Sequence, residues 1–306
     1  MLEMLAKRAV HSVLLILAVI SVIFFTTFVI GDPVRAMLPA ETPPEAVLEF
    51  REQMGFNRPI IVQYFDYISH AIVGDFGDSW WQRTPALPIA ARPLPATFLL
   101  GLASMVVAIG LGVPLGIMAS NKPNSIFDRI ATVFSLFSVS MPLIWLAPTA
   151  AYLIAVKAGL LPTAGSGTFA HLILPTLVLA MLPMGRIVQI TRASMMDEMV
   201  KQYVITARAK GLSRRVVLMK HQLRNAILPV ITEAGWEFIL VLSGYTIIVE
   251  AVFAWPGLGY TMYSAILLRD MPLLASTAFV ASLVVVFINF AVDIIYAIAN
   301  PLIRYK

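Results

Sequence analysis

The chain has 306 residues, of which 59% are hydrophobic and only 13% charged, with a formal net charge of +5. A soluble domain carries about 45–50% apolar and about 25% charged residues, so this composition cannot be wrapped in a wet surface and describes a membrane protein. The lack of any cysteine excludes disulfides, thiolate metal sites, iron–sulfur clusters and cysteine nucleophiles.

A helix crossing about 30 Å of hydrocarbon needs about 20 mostly apolar residues. Ala9 to Ile30 contains no Lys, Arg, Asp or Glu and predicts a first span. Lys7 and Arg8 ahead of it also suit a secretory signal. However, the apolar run exceeds the usual core of about 7–15 residues, and Gly31-Asp32-Pro33 is a poor cleavage site, so the helix is read as retained. The stretch from Gly31 to Ala96 is too long for a mere connection and predicts a small extracytoplasmic unit. Within it, Thr42-Pro43-Pro44-Glu45 supplies a capping hydroxyl, an early proline and a carboxylate three residues on, and Gly55 supplies a stop. That pattern predicts an amphipathic helix from Pro43 to Met54. Further on, Trp80 and Trp81 are read as an aromatic anchor at the membrane interface, with a partner-docking surface as the alternative.

Charge-free runs from Thr97 to Ala119, Ile130 to Val156 and Phe169 to Gly185 predict three more spans. Gly110, Gly112, Pro114 and Gly116 in the second are positions for close helix packing or for a kink. A fifth span runs from Ile227 to Val249 with Glu233 and Glu237 inside it, and a sixth from Leu274 to Ala299 with Asp293. The predicted fold is therefore an all-α polytopic membrane protein of six transmembrane helices, divided as 1–30, an insertion at 31–96 and a core domain at 97–306.

Six spans put both termini on one side, and the excess of Lys and Arg marks that side as cytoplasmic. Met1 to Arg8, Ser120 to Arg129, Thr191 to Ala226 and Pro301 to Lys306, with Arg186, hold 15 of the 22 basic residues. Basic residues thus sit where membrane topology wants them, and nucleic-acid binding is not expected. The segment 191–226 alone carries eight Lys or Arg against two acids. Its residues Gln202 to Lys210 predict a short helix, ended by Gly211 and restarted after Ser213. Such a helix has little to bury within its own chain and is expected to dock on another protein.

No Gly-Lys dipeptide exists for a phosphate-binding loop, and His11, His70, His171 and His221 are scattered, so neither nucleotide nor metal is expected on this chain. Gly165-Ser166-Gly167 with His171 lacks the strand–turn–helix context of a hydrolase elbow. No catalytic residue is assigned. A membrane-embedded hydrolase or an ion channel are the different-class alternatives.

Charges near the bilayer centre cost about 2.5–3.5 kcal/mol on insertion scales and so face protein or water. Counted at about 1.5 Å per residue from the predicted ends, Arg186, Glu233 and Asp293 lie at roughly 7–9 Å and Glu237 and Asn289 at roughly 15 Å. This matching depth predicts an ion cluster of Arg186, Glu233 and Asp293, with Glu237 and Asn289 one turn deeper. Interhelical glue and a pathway lining are both open for it. Glu250, farther along, is expected at the outer interface, on a docking surface.

Tyr203 to Ser213, with Ala207-Arg208-Ala209-Lys210-Gly211, and Lys220-His221 to Pro229 resemble the coupling-loop signature of bacterial ABC importer permeases of the dipeptide, oligopeptide, glutathione and nickel branch. Gly31-Asp32-Pro33, Gly74-Asp75-Phe76-Gly77-Asp78-Ser79, Leu94-Pro95-Ala96-Thr97, Phe253 to Gly259, Arg269-Asp270-Met271-Pro272 and Asn300-Pro301 to Tyr305 extend the resemblance over the whole chain. It departs from the general importer signature in having Ile205-Thr206-Ala207 where Glu-Ala-Ala stands, and in Pro229 lying far beyond Gly211; both suit the peptide branch. The resemblance implies half of a translocation pathway for peptides or peptide-like solutes in the bacterial inner membrane, with nickel chelates or oligosaccharides as alternatives. It also implies a second homologous permease, two ATPase subunits that hold ATP and magnesium, and an extracytoplasmic solute-binding protein. Tyr203, Ala207, Arg208, Ala209, Lys210 and Gly211 are the residues it points to for ATPase coupling, with small residues allowing close approach to a groove and Arg208 and Lys210 pairing with acids at its rim.

Overall fold

The computed structural model describes the backbone of residues 2–30, 34–35, 38, 41–53 and 55–299, with side chains from 10–27, 34–35, 38, 41–53 and 55–292. Gly31-Asp32-Pro33, Met54, the Asn300 to Tyr305 motif and the side chain of Asp293 lie outside the described residues. In chain order the helices are α1 (Leu2–Phe24), prolonged by a π turn Phe25–Ile30, α2 (Pro44–Gln53), α3 (Ile60–Ile72), α4 (Ala86–Ala91), α5 (Leu94–Asn121) and α6 (Ile126–Ser140). Then follow α7 (Leu143–Lys157), α8 (Phe169–Met199), α9 (Gln202–Ala209), α10 (Arg214–Val252), α11 (Leu258–Leu267) and α12 (Met271–Ala299). α7 ends in a π turn, and α10 contains two, Val217–Gln222 and Val241–Tyr245.

Among the described residues, five stretches are long and apolar enough to cross a membrane, and the α6–α7 pair makes a sixth when counted as one broken span. The run Ile130 to Val156, expected as one helix, is bent by 104° between Ser140 and Leu143. Proline disfavours the helical region for the residue before it. Met141 accordingly takes φ −78°, ψ 118°, and Pro142 itself is extended. α8 and α10 run farther than their charge-free cores, so residues 191–199 and 214–226 are helical rather than loop.

The chain forms two compact units, one of residues 1–95 with 256–287, the other of 96–255 with 288–306. In the first, Ile20 of α1, Ala71 of α3, Phe76 and Ala275 of α12 share a buried cluster, with the Phe24 ring edge-on to Tyr64 at 5.3 Å. A second cluster joins Ala90 of α4, Leu258 and Ala265 of α11, and Leu273 and Val280 of α12. The insertion thus packs on helices that come from the far end of the sequence.

In the second unit α8 is the central element, packed against α6 and α10. Glycines make this approach close. A Cβ on Gly116 of α5 would meet the Thr191 Cβ at 2.6 Å and the Val188 carbonyl at 2.9 Å, and one on Gly112 would meet Ile187. On its other flank Gly185 lies where a Cβ would come within 2.9 Å of the Ser135 carbonyl. Gly110 faces open space. Ser125 caps α6 by accepting from the Asp128 amide, and Asp128 is gripped by Arg192 of α8 through two bonds of 2.5 and 2.9 Å. This charge pair pins the start of α6 to the last turns of α8.

Candidate functional site

α8 leads into the short polar helix α9 after only two residues, and α9 into α10 after four. Gly211 stops α9 in the left-handed region at φ +75°, with its amide on the Arg208 carbonyl at 3.0 Å, and Ser213 opens α10. The inner face of α9 is buried within its own chain: Val204 and Ala207 pack on Val217, at the first π turn of α10. Ala207 is therefore a packing residue, correcting the expectation that this helix has little to bury and that Ala207 approaches a partner. Tyr203 donates its hydroxyl to Glu198 of α8 and receives the Asn225 amide of α10 at 2.8 Å. Partial desolvation first, then the bond to Glu198, push the phenol above its ordinary value. Tyr203 thus ties α9 to both long helices. Asn225, which does part of the tying, lies within the Lys220 to Pro229 motif without an assigned role there, and Glu198 lies outside every motif quoted above. Arg208, Ala209, Lys210 and Gly211 are exposed. They form a short basic edge on a helix held rigidly from behind.

Within the spans, Arg186 of α8 pairs with Glu237 of α10 at 2.8 Å, Glu237 being fully buried and Arg186 about a third exposed. The expected cluster sets Arg186 with Glu233 and Asp293, and Glu237 with Asn289 one turn deeper; the structure pairs Arg186 with Glu237 and leaves Glu233 one turn away on α10, while the Asp293 side chain lies outside the described residues. α8 ends at Met199 and α10 begins at Arg214, so depths counted from the charge-free runs are too small by about 12 Å on α8 and about 20 Å on α10. Glu233 is only partly buried, and Asn289 is half-buried on α12. Glu250 is fully buried, not on a docking surface. The chain folds back over it, with Phe253 bonded to Gly165 and the Trp255 indole donating to the Ala96 carbonyl at 3.0 Å. His171 bonds Thr168 at 2.7 Å, so the Ser166–His171 dyad does not form.

On the first unit, Asp270 organises the turn before α12. It is 1% exposed and caps the helix by accepting from Leu273 at 3.2 Å, while Ser79 donates to it at 2.5 Å. Trp81 donates its indole N–H to Leu268 at 2.8 Å and still leaves its ring 65% exposed. Replacing Asp270 by Ala strands these buried donors, each worth about 1–3 kcal/mol. Asp270→Ala is expected to lower the melting temperature and expose the 74–85 segment to protease. Asp270→Asn, which keeps an acceptor, is expected to do so far less. Equal melting and protease resistance of Asp270→Ala and the wild type would refute this role.

Residues 112–305 match the family described as binding-protein-dependent transport system inner membrane component, and residues 1–98 match its companion N-terminal family. The chain is 38% identical over 309 aligned positions, 100% of both chains, to the glutathione transport system permease protein GsiC of Salmonella choleraesuis (strain SC-B67). It is 38% identical over 286 positions, 93% of each, to the protein of that name from Escherichia coli (strain K12). Among solved structures it is similar to the MetNI methionine ABC transporter in an inward-facing conformation, with TM-score 0.56, 20% identity and coverage of 69% of this chain and 96% of that one. A similar likeness, TM-score 0.55 at 14% identity over 69% and 94%, holds for an amino acid ABC transporter crystallised with histidines. At these identities the two structures speak for the fold.

Proposed function

The chain belongs to the family of binding-protein-dependent transport system inner membrane components and is a permease subunit of an ABC importer; on that premise we propose that it imports glutathione or short peptides and couples to its ATPase through α9. Members of the family work with an ATPase and a solute-binding protein. We place this chain beside a second homologous permease, above two ATPase subunits that bind ATP and magnesium, with both termini in the cytoplasm. The observation that carries the reading is the mounting of α9. Its inner face is locked to α8 and α10 through Tyr203, Val204 and Ala207, while Arg208, Ala209, Lys210 and Gly211 stay exposed. A push on the exposed edge therefore reaches two spanning helices at once.

The solute assignment rests on the names of the relatives, glutathione transport permeases aligned over the full chain. It is tested with the neighbouring solute-binding protein: uptake of labelled glutathione by the reconstituted complex, with dipeptides and a nickel chelate as competitors. Saturable glutathione uptake blocked by excess glutathione or dipeptide supports the assignment. Uptake blocked only by the nickel chelate, or uptake of neither glutathione nor dipeptide, rejects it.

A further inference from the structure

Three spanning helices end around one cavity: α5 at Asn121, α8 at Met199 and α10 at Arg214. The cavity holds about 540 Å³. Lys122, Arg208 and Arg214 supply its charge, and no Asp or Glu is among its described lining residues. Arg214 is fixed, its guanidinium donating to the Asn121 side chain at 3.0 Å and to the Asn121 carbonyl. Gln222, in the first π turn of α10, lines the same cavity at 3% exposure, and its amide nitrogen has no hydrogen-bond partner. A buried donor left unpaired costs about 1–3 kcal/mol, so it marks a place where an acceptor belongs. The remaining wall includes Met199 and Leu212.

We propose that this cavity is a binding site for a phosphate-bearing anion, supplied by the headgroup of an anionic phospholipid. Three cations and an amide donor suit a phosphate, which offers several acceptor oxygens and at least one negative charge. Asn121 and Lys122 follow the charge-free run of α5 by only two and three residues, which puts their side of the cavity at headgroup depth, and the apolar wall suits the glycerol and first methylenes of a lipid rather than a fully hydrated ion. Because Arg208 lies on α9, a lipid seated here bears on the same helix that faces the ATPase. The inference rests on the membrane reading above but not on its orientation.

The test uses the assembled transporter in neutral detergent, titrated with phosphatidylglycerol or phosphatidylcholine and followed by native mass spectrometry. The wild type is expected to retain phosphatidylglycerol over phosphatidylcholine. Lys122→Gln and Arg214→Gln are each expected to weaken that retention about fivefold, as one basic residue near an anionic headgroup does. Lys122→Arg is expected to restore it, which separates charge from misfolding, since Lys122 is exposed on a loop. Gln222→Leu is expected to weaken retention with no change of charge. Millimolar inorganic phosphate separates the sources: binding of phosphate that the variants abolish, without lipid preference, keeps the anion site and assigns it to a free anion. No lipid preference and no phosphate binding overturns the proposal. So does a crosslink from Lys122→Cys to an acidic ATPase residue in a complex that carries no lipid. The chain lacks other cysteines, so labelling Lys122→Cys in inverted and right-side-out vesicles tests the orientation separately.

Discussion

Gly211→Pro is expected to reduce uptake more than a hundredfold while the protein still inserts and assembles. The reason is local and geometric. Gly211 holds φ +75° and donates its amide to Arg208. Proline fixes φ near −65° and has no amide hydrogen, and it also disfavours the near-helical conformation of Lys210 before it. The last turn of α9 must therefore unwind, and Arg208 and Lys210 lose their common direction. A graded series isolates the backbone effect. Space around Gly211 is open to a Cβ, so Gly211→Ala meets only the left-handed penalty of about 1–2 kcal/mol and is expected to keep partial activity. Gly211→Asn, better suited to that region, is expected to come closest to the wild type. Uptake and membrane level measured together check the order; normal uptake by Gly211→Pro would refute the role given to this turn.

The second large effect is expected at the Arg186–Glu237 pair. Removing Arg186 leaves a fully buried carboxylate without its partner, a loss of about 3–5 kcal/mol for a buried pair broken on one side. Arg186→Ala is therefore expected to lower the yield of assembled complex severely. Glu237→Gln is expected to be milder, because Arg186 is a third exposed and keeps some contact with its surroundings. The double variant Arg186→Gln/Glu237→Gln removes both charges and is expected to restore assembly. What it does to uptake separates the two roles left open for these residues. Recovered assembly with recovered uptake assigns the pair to interhelical packing. Recovered assembly with uptake still lost assigns it to the pathway. Failure of the double variant to restore assembly would reject the argument from an uncompensated charge.

Much of this fold is written in the sequence because the bilayer imposes simple demands. Charge-free runs mark the spans, and Gly211 and Ser213 bracket α9 through elementary helix-ending and helix-starting chemistry. The break at Met141-Pro142 was hidden because hydropathy records which residues avoid water, not the direction of the backbone. For the related reason the end of α8 reads too early and the start of α10 too late, since both helices continue past their charge-free cores. Arg186 meets Glu237 rather than Glu233 through the packing of α8 on α10, which counting from helix ends does not give. The Asp128–Arg192 grip and the Tyr203–Asn225 bond join residues 64 and 22 apart in sequence, and the Tyr203–Glu198 bond closes across the short α8–α9 connection. No spacing rule brings them together; only the packing of α6, α9 and α10 on α8 does. Ala207 shows the converse: a small residue in a coupling motif reads equally well as facing a partner or its own chain, and only burial separates the two.

The central expectation is that this chain moves solute only when an ATPase drives it. Proteoliposomes carrying the chain alone, or the assembled complex with solute-binding protein, measure it directly through solute flux and ATP hydrolysis recorded together. The expected result is no flux from the chain alone, with flux from the complex that needs ATP and hydrolysis that rises when the binding protein is loaded. Solute flux through the chain alone, indifferent to ATP, would contradict the account.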